Sequence, residues 1–256
     1  MHKLVFTVLF SLVLVVTKAQ PAPVDSVALP PEFVDLHGEF NDTNSKYFFR
    51  EDDYKDSMPV YEKRFGERKE VPDSLKLAFF VALSHYPELY EAHIELSRRT
   101  MFTTMEARPT FLSVFKRKSR RHYKIFMNSR KGRSKGINLA KTSFNTRVGF
   151  FGHELAHLLS YEVRSSTQLI GMGFKYALSK KYKKQTERET DMETIRRGMG
   201  YPLYESKLVI LKQKDDEVLE DYRQNAIRNY MTDAEVLQTI RDIARELLAA
   251  HRQRNK

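Results

Sequence analysis

The chain contains no cysteine. That absence excludes a disulfide framework and an acylated lipoprotein anchor, so an apolar core, alone or helped by a metal, must hold the fold. Long apolar runs are equally scarce. Leu4 to Val16 form the only one, and no other stretch is apolar enough to cross a bilayer. Internal repeats are missing too. Acidic residues are absent from 116–135, KRKSRRHYKIFMNSRKGRSK, which holds ten Lys or Arg.

The first twenty residues, MHKLVFTVLFSLVLVVTKAQ, have the layout of a cleavable export signal. His2 and Lys3 give a basic start, the apolar run is short, and Thr17 and Ala19 supply small residues before a cleavage point. The sequence therefore predicts a signal peptide at 1–19 and a mature protein, secreted or periplasmic, starting at Gln20. Removing the segment takes away Lys3 and Lys18, which lowers the formal charge of +11 by two. Asn41-Asp42-Thr43 spells a glycosylation acceptor, which matters only in a eukaryotic secretory pathway. The basic 116–135 segment suits an anionic polymer or a membrane surface, or a solvated hairpin whose turns carry the charge; export makes nucleic acid the weaker partner.

Residues 20–72 read as an extended or irregular N-terminal arm, with Pro21, Pro23, Pro30 and Pro31 followed by acidic clusters. Its position would also suit an inhibitory pro-segment. Residues 73–256 read as one domain. A helix is expected from Asp73 or Ser74 to Leu83, stopped before Pro87. Strand-like patterns follow at Ala92–Ser97, Thr110–Phe115 and His122–Asn128, which suggests a small, mostly antiparallel sheet. From Asn145 the pattern is helical: about 145–162, 166–182, Thr186 to Gly198–Gly200, Tyr204 onward past Lys212, and a last helix announced by the capping box Thr232-Asp-Ala-Glu235. The plan is α+β.

Residues 149–161 read G-F-F-G-H-E-L-A-H-L-L-S-Y. Residues four apart share a helix face, so His153 and His157 can aim two imidazole nitrogens at one point. Glu154, about 100° round the helix, can lie beside that point without binding there. This H-E-x-x-H arrangement suits two neutral imidazoles on Zn²⁺ and a glutamate acting as general base for a metal-bound water. A catalytic zinc wants a third protein ligand and an open position. Glu187 on a later helix is the candidate, with Asp191 one turn along to accept a hydrogen bond from a ligating imidazole. Glu189 and Glu193 lie close enough in sequence to compete for the same role. Gly149 and Gly152 suit a close helix approach.

His153-Glu154-Leu155-Ala156-His157 and Glu187-Arg188-Glu189-Thr190-Asp191 resemble the gluzincin branch of the zincin metallopeptidases, H-E-x-x-H followed by E-x-x-x-D. The wording is nearest to the Ste24/HtpX-like peptidases. The resemblance covers about residues 145–200. It implies a Zn²⁺-dependent peptidase with ligands His153, His157 and Glu187 and catalyst Glu154. The fold it implies is zincin-like: a small sheet over an active-site helix, with the glutamate helix packed behind.

In that reading Glu154 takes a proton from water as it attacks a peptide carbonyl and then passes it to the leaving amine. Tyr161, Tyr201, Tyr204, His122 and Arg196 are the candidates for an oxyanion donor, with packing or surface roles as the rival for each. A strand edge around Thr110–Phe115 is the expected binding place for an extended substrate. Two other functions fit the same residues: a binding protein for anionic envelope material, its fold stapled by metal, or a zinc amidase acting on a non-protein or peptidoglycan bond.

Overall fold

The structure is a computed structural model that describes residues 48–129, 136–212 and 217–254. The expected signal peptide, most of the N-terminal arm, and the 130–135 part of the basic segment lie outside the described residues. All described residues belong to one unit, Thr43–Lys256.

The described end of the arm contains regular structure: helix α1 (Met58–Phe65) and a two-residue strand β1 (Lys69–Glu70). Helix α2 (Asp73–Leu83) follows, and its last six residues, Ala78 to Leu83, are all buried. Its N-cap is Pro72, without a side-chain cap. Asp73, expected to cap, sits inside the first turn and pairs instead with Lys76 at 3.0 Å.

Strands β2 (His93–Arg99), β3 (Met105–Pro109) and β4 (His122–Asn128) complete a four-stranded sheet in the order β1-β2-β4-β3. The expected antiparallel sheet is corrected here. β1 pairs β2 and β2 pairs β4 in parallel, and only β3 with β4 is antiparallel. Between β1 and β2 the chain returns through α2, and a helical crossover of that kind makes neighbouring strands parallel. Alternation within one strand reveals which side chains are buried but carries no information on strand direction. Thr110–Phe115 is also not a strand: Phe111–Phe115 is a 3₁₀ turn, and the edge strand is the five residues before it. The turn is closed by Ser113, whose hydroxyl lies 2.9 Å from the carbonyls of both Thr110 and His122.

The rest of the described chain is helical: α3 (Phe144–Glu162), α4 (Ser166–Leu178), α5 (Lys180–Thr194), α6 (Gly200–Lys212), α7 (Glu217–Asn229) and α8 (Asp233–Arg254). The helix expected over 166–182 is broken at Ser179, which ends α4 and caps α5 by accepting from the Tyr182 N–H at 3.2 Å. A serine offering that cap outweighs the propensity of the flanking residues to continue. Helix α5 gives way to a π-turn at Ile195–Met199, where Gly198 takes φ 81°, a conformation glycine adopts without the Cβ clash. Among the described residues, no helix is long and apolar enough to cross a membrane.

Helix α3 is the centre of the molecule, buried almost all round between α2, α6 and β3. Inward residues of the sheet (Ile94, Leu96, Ala107, Tyr123, Ile125) join Phe79, Phe151 and Leu155 in the main core. Each such side chain, fully buried, contributes about 1.5–3 kcal/mol, so a core of this size can hold a cysteine-free chain.

Candidate metal centre

The position of α3 is set at its start. Ser143 caps the helix, accepting from the Thr146 N–H at 2.9 Å, and its hydroxyl donates to Glu205 of α6 at 2.6 Å. Asn145 donates to the other Glu205 oxygen at 2.5 Å and accepts from the Phe49 N–H at 2.9 Å. One turn on, a Cβ at Gly149 would stand 2.1 Å from the Pro202 carbonyl oxygen, so α3 and α6 touch backbone to backbone there. Gly152 plays the same packing role against Met199 and Thr194.

That placement sends His153 and His157 from one face of α3 toward α5. The Nε2 atoms of both lie 3.3 Å from Glu187 Oε2, and all three residues are buried. Two ligands bound to a tetrahedral zinc at about 2.0–2.1 Å stand roughly 3.3 Å apart, which matches both edges. The two rings meet edge to face, with centroids 4.8 Å apart.

The far nitrogen of each ring is already committed. His153 Nδ1 lies 2.9 Å from Asp191 Oδ1. His157 Nδ1 lies 3.2 Å from the hydroxyl of Thr190, which spends its own proton on the Thr186 carbonyl at 2.8 Å and so can only accept. With Nδ1 committed in this way, each ring would offer its Nε2 lone pair to a metal. Glu187 is polarised in the same way. Its Oε1 accepts from the Tyr176 hydroxyl, whereas Oε2 is buried and has no partner besides the two rings it faces. Three lone-pair atoms within 4.8 Å of one another repel unless a cation or protons come between them.

The surrounding charge favours a cation. Buried Glu154, Glu187 and Asp191 share their environment with one buried ammonium, that of Lys207. Burial opposes the charge on Glu187, but His157 and His153 outweigh it and hold the carboxyl well below its usual range. Burial likewise opposes a charge on His153, and its bonds to Asp191 and Glu187 overcome that and lift it to about 9. Asp191 stays ionised because Lys207 and His153 outweigh its burial; Lys207 Nζ sits 2.8 and 3.0 Å from its two oxygens and the Met231 N–H 2.9 Å from Oδ2.

Glu154 lies beside the metal-ligand group, with Oε2 buried and unpartnered. Burial raises its pKa, against the two histidines and the Ala107 N–H, which favour its charged form. Ala107 belongs to the edge strand β3, and its carbonyl accepts from the Tyr161 hydroxyl at 3.2 Å. Tyr161 in turn stacks on His157 with centroids 6.3 Å apart. A groove of about 630 Å³ opens against this corner, lined by Tyr161, Tyr176, the Phe111–Phe115 turn and α4.

The chain matches no family model, no curated protein and no solved structure.

The other candidates separate clearly. Glu189 and Glu193 turn away, toward Gln185 and Arg197 at 2.8 Å each. Of the five possible oxyanion donors only Tyr161 is near the metal group. Tyr201 packs near Phe48, Tyr204 against a small separate cluster around Leu203, His122 stacks on His93, and Arg196 lines a different cavity beside Glu193. In the basic segment, Arg121 is buried and binds the carbonyls of Tyr161 and Arg164 at the end of α3, at 3.1 and 2.7 Å. Sequence reading missed Thr190, Tyr176, Lys207 and Tyr230, whose ring lies 5.4 Å from His153 with Lys207 4.2 Å over it. Thr190 was findable, three residues after Glu187 on the same helix face; the others carry no local signal.

Proposed function

We propose that the protein is a zinc-dependent peptidase of the zincin type, with His153, His157 and Glu187 as metal ligands, Glu154 as catalyst and Asp191 and Thr190 as the groups that orient the imidazoles. One observation carries the reading: Glu187 Oε2 faces two Nε2 atoms whose rings are already hydrogen-bonded on the other side, and it has no other partner.

When bound there, zinc would act as a Lewis acid, acidifying water and polarising a carbonyl. The chain's own residues do the rest. Glu154, unpartnered at Oε2 and raised in pKa by burial, accepts a proton from the attacking water and delivers it to the amine as the C–N bond breaks. The edge of β3 that does not pair with β4 would take an extended peptide by backbone hydrogen bonds, in exchange for the contacts Ala107 makes with Glu154 and Tyr161, and it replaces the expected Thr110–Phe115 edge. Tyr161, next to both Ala107 and His157, is our candidate donor to a developing oxyanion, its hydroxyl turning there from the Ala107 carbonyl. The export-signal layout of the leading segment supports a place of action outside the cytoplasm.

A metal that only stapled the fold would need no unpartnered acid beside it, and this favours catalysis over a purely binding role. Zinc content and cleavage of a peptide library by wild type and Glu154→Gln decide the matter. The expected result is about one zinc per chain in both forms, with cleavage only in wild type and a rate at least about 10²-fold lower in the variant. Zinc in both and cleavage in neither favours the binding role. No zinc in either overturns the proposal.

A further inference from the structure

Helix α4 is unusual for a protein surface. Its sequence, STQLIGMGFKYAL, is largely apolar, yet only Leu169 and Met172 are buried. Ile170, Phe174 and Leu178, at four-residue spacing, form an outward stripe in which Phe174 is 66% and Leu178 84% exposed. A Cβ at Gly171 or Gly173 would meet nothing, so no described part of the chain covers this side. The 3₁₀ turn at Phe111–Phe115 packs against α4 and adds three more exposed apolar side chains: Phe111 at 80%, Leu112 at 72% and Phe115 at 62%. Contiguous apolar surface on this scale marks an interaction site.

The two chain segments that build it carry charge of one sign, while in the groove Arg108 and Lys124 are paired with Glu106 and Glu95. No Asp or Glu occurs between Ala107 and His153, nor between Val163 and Thr186, and these two stretches contain thirteen and six Lys or Arg respectively. Lys116, Arg117, Lys118 and Arg120 follow the turn directly and are exposed, as are Lys175 within α4 and Lys180 just beyond it.

We infer that the face made by α4 and the Phe111–Phe115 turn docks on an anionic phospholipid bilayer, with Phe111, Leu112, Phe174 and Leu178 entering the headgroup–acyl boundary and the basic rim holding the lipid headgroups. Apolar side chains backed by Lys and Arg are the physical signature of interfacial binding. An anionic polymer would account for the rim but leave the apolar tips unexplained. An apolar protein partner would account for the tips but not for the exposed basic cluster beside them, and a second copy would set two basic clusters against each other. Docking of this kind brings the mouth of the 630 Å³ groove, which Phe111, Phe115 and Ile170 line, to the lipid surface.

The absence of cysteine allows a clean test on the full chain. Single cysteines replace Leu112, Phe174 and, as a distant control, the exposed Asp242, and each carries an environment-sensitive fluorophore. The labels at 112 and 174 are expected to shift to the blue on vesicles of phosphatidylcholine with phosphatidylglycerol, not on phosphatidylcholine alone, while the label at 242 stays unchanged. Reversing the rim (Lys116→Glu, Arg117→Glu, Lys118→Glu) should weaken vesicle binding by about tenfold or more, as should raised salt. No shift at 112 and 174, equal shifts at all three positions, or equal shifts on neutral vesicles overturn the inference. A shift that needs only higher protein concentration overturns it in favour of self-association.

Discussion

The Lys207 ammonium lies 2.8 Å from Asp191 Oδ1 and 3.0 Å from Oδ2, inside the protein, and the same Oδ1 lies 2.9 Å from His153 Nδ1. The orientation of a proposed metal ligand thus depends on an ion pair formed between two other helices, α5 and α6. Lys207→Met leaves the buried Asp191 charge without its cation. The expected cost is about 3–5 kcal/mol of unfolding free energy, with zinc affinity lower by about 10–100-fold. Adding Asp191→Asn removes the stranded charge and should recover part of the stability without recovering the zinc affinity. Urea unfolding and zinc titration of the single and double variants check this; a neutral Lys207→Met would refute it.

Tyr176 and Thr190 each hold one proposed ligand. Tyr176→Phe removes the donor to Glu187 Oε1, and Thr190→Val removes the acceptor for His157 Nδ1. Both keep volume and shape, so competition with a chromogenic chelator should show zinc affinity falling about tenfold or more in each. Equal affinity in both variants would mean that neither contact orients a ligand.

Two helical glycines should respond to alanine with opposite signs. A Cβ at Gly149 meets the Pro202 backbone at 2.1 Å, whereas one at Gly171 meets nothing. Gly149→Ala is expected to destabilise by at least about 1–3 kcal/mol, because backbone must move to make room. Gly171→Ala is expected to stabilise by about 0.5–1 kcal/mol through helix propensity and chain entropy. Thermal unfolding of the two proteins side by side gives the comparison.

Acid pH should loosen α8 from α5. Hydrogen bonds from Arg188 hold Glu235 down to about 2, against its partial burial and with help from the Thr232 N–H. A carboxyl depressed in the folded state stabilises fully above its unfolded value, near 4.5, and that contribution is lost as pH falls toward 2. Because the pair is partly exposed, the effect should be no more than about 1 kcal/mol. Glu235→Gln should flatten the stability profile over that interval, and unfolding followed from pH 6 to pH 2 measures it.

What the sequence revealed follows helical periodicity. His153, His157, Glu187 and Asp191 could be assigned to shared faces because a four-residue spacing is itself the geometry, and the structure brings these four together. The capping box at Thr232–Glu235 was equally visible, and both of its hydrogen bonds are present, at 2.8 and 3.2 Å. Strand direction was not visible, since it depends on where α2 returns the chain. The edge strand was misplaced because Phe111, Leu112 and Phe115 look like strand residues, although their side chains point into solvent. Lys207 and Tyr176 could not be found locally: each reaches the site from another helix, and only tertiary packing makes them neighbours.

Helix α5 carries Glu187, Thr190 and Asp191: one proposed ligand and both groups that fix the ring tautomers. Sliding that helix along α3 by a single residue would remove all three at once. An ion held there works like a rivet through two rods, so loading should be all-or-none and should protect α5 amides from hydrogen exchange more than those of α2. If such an ion is bound, its removal should let the protein come apart first along that seam, while the sheet on the other side stays closed.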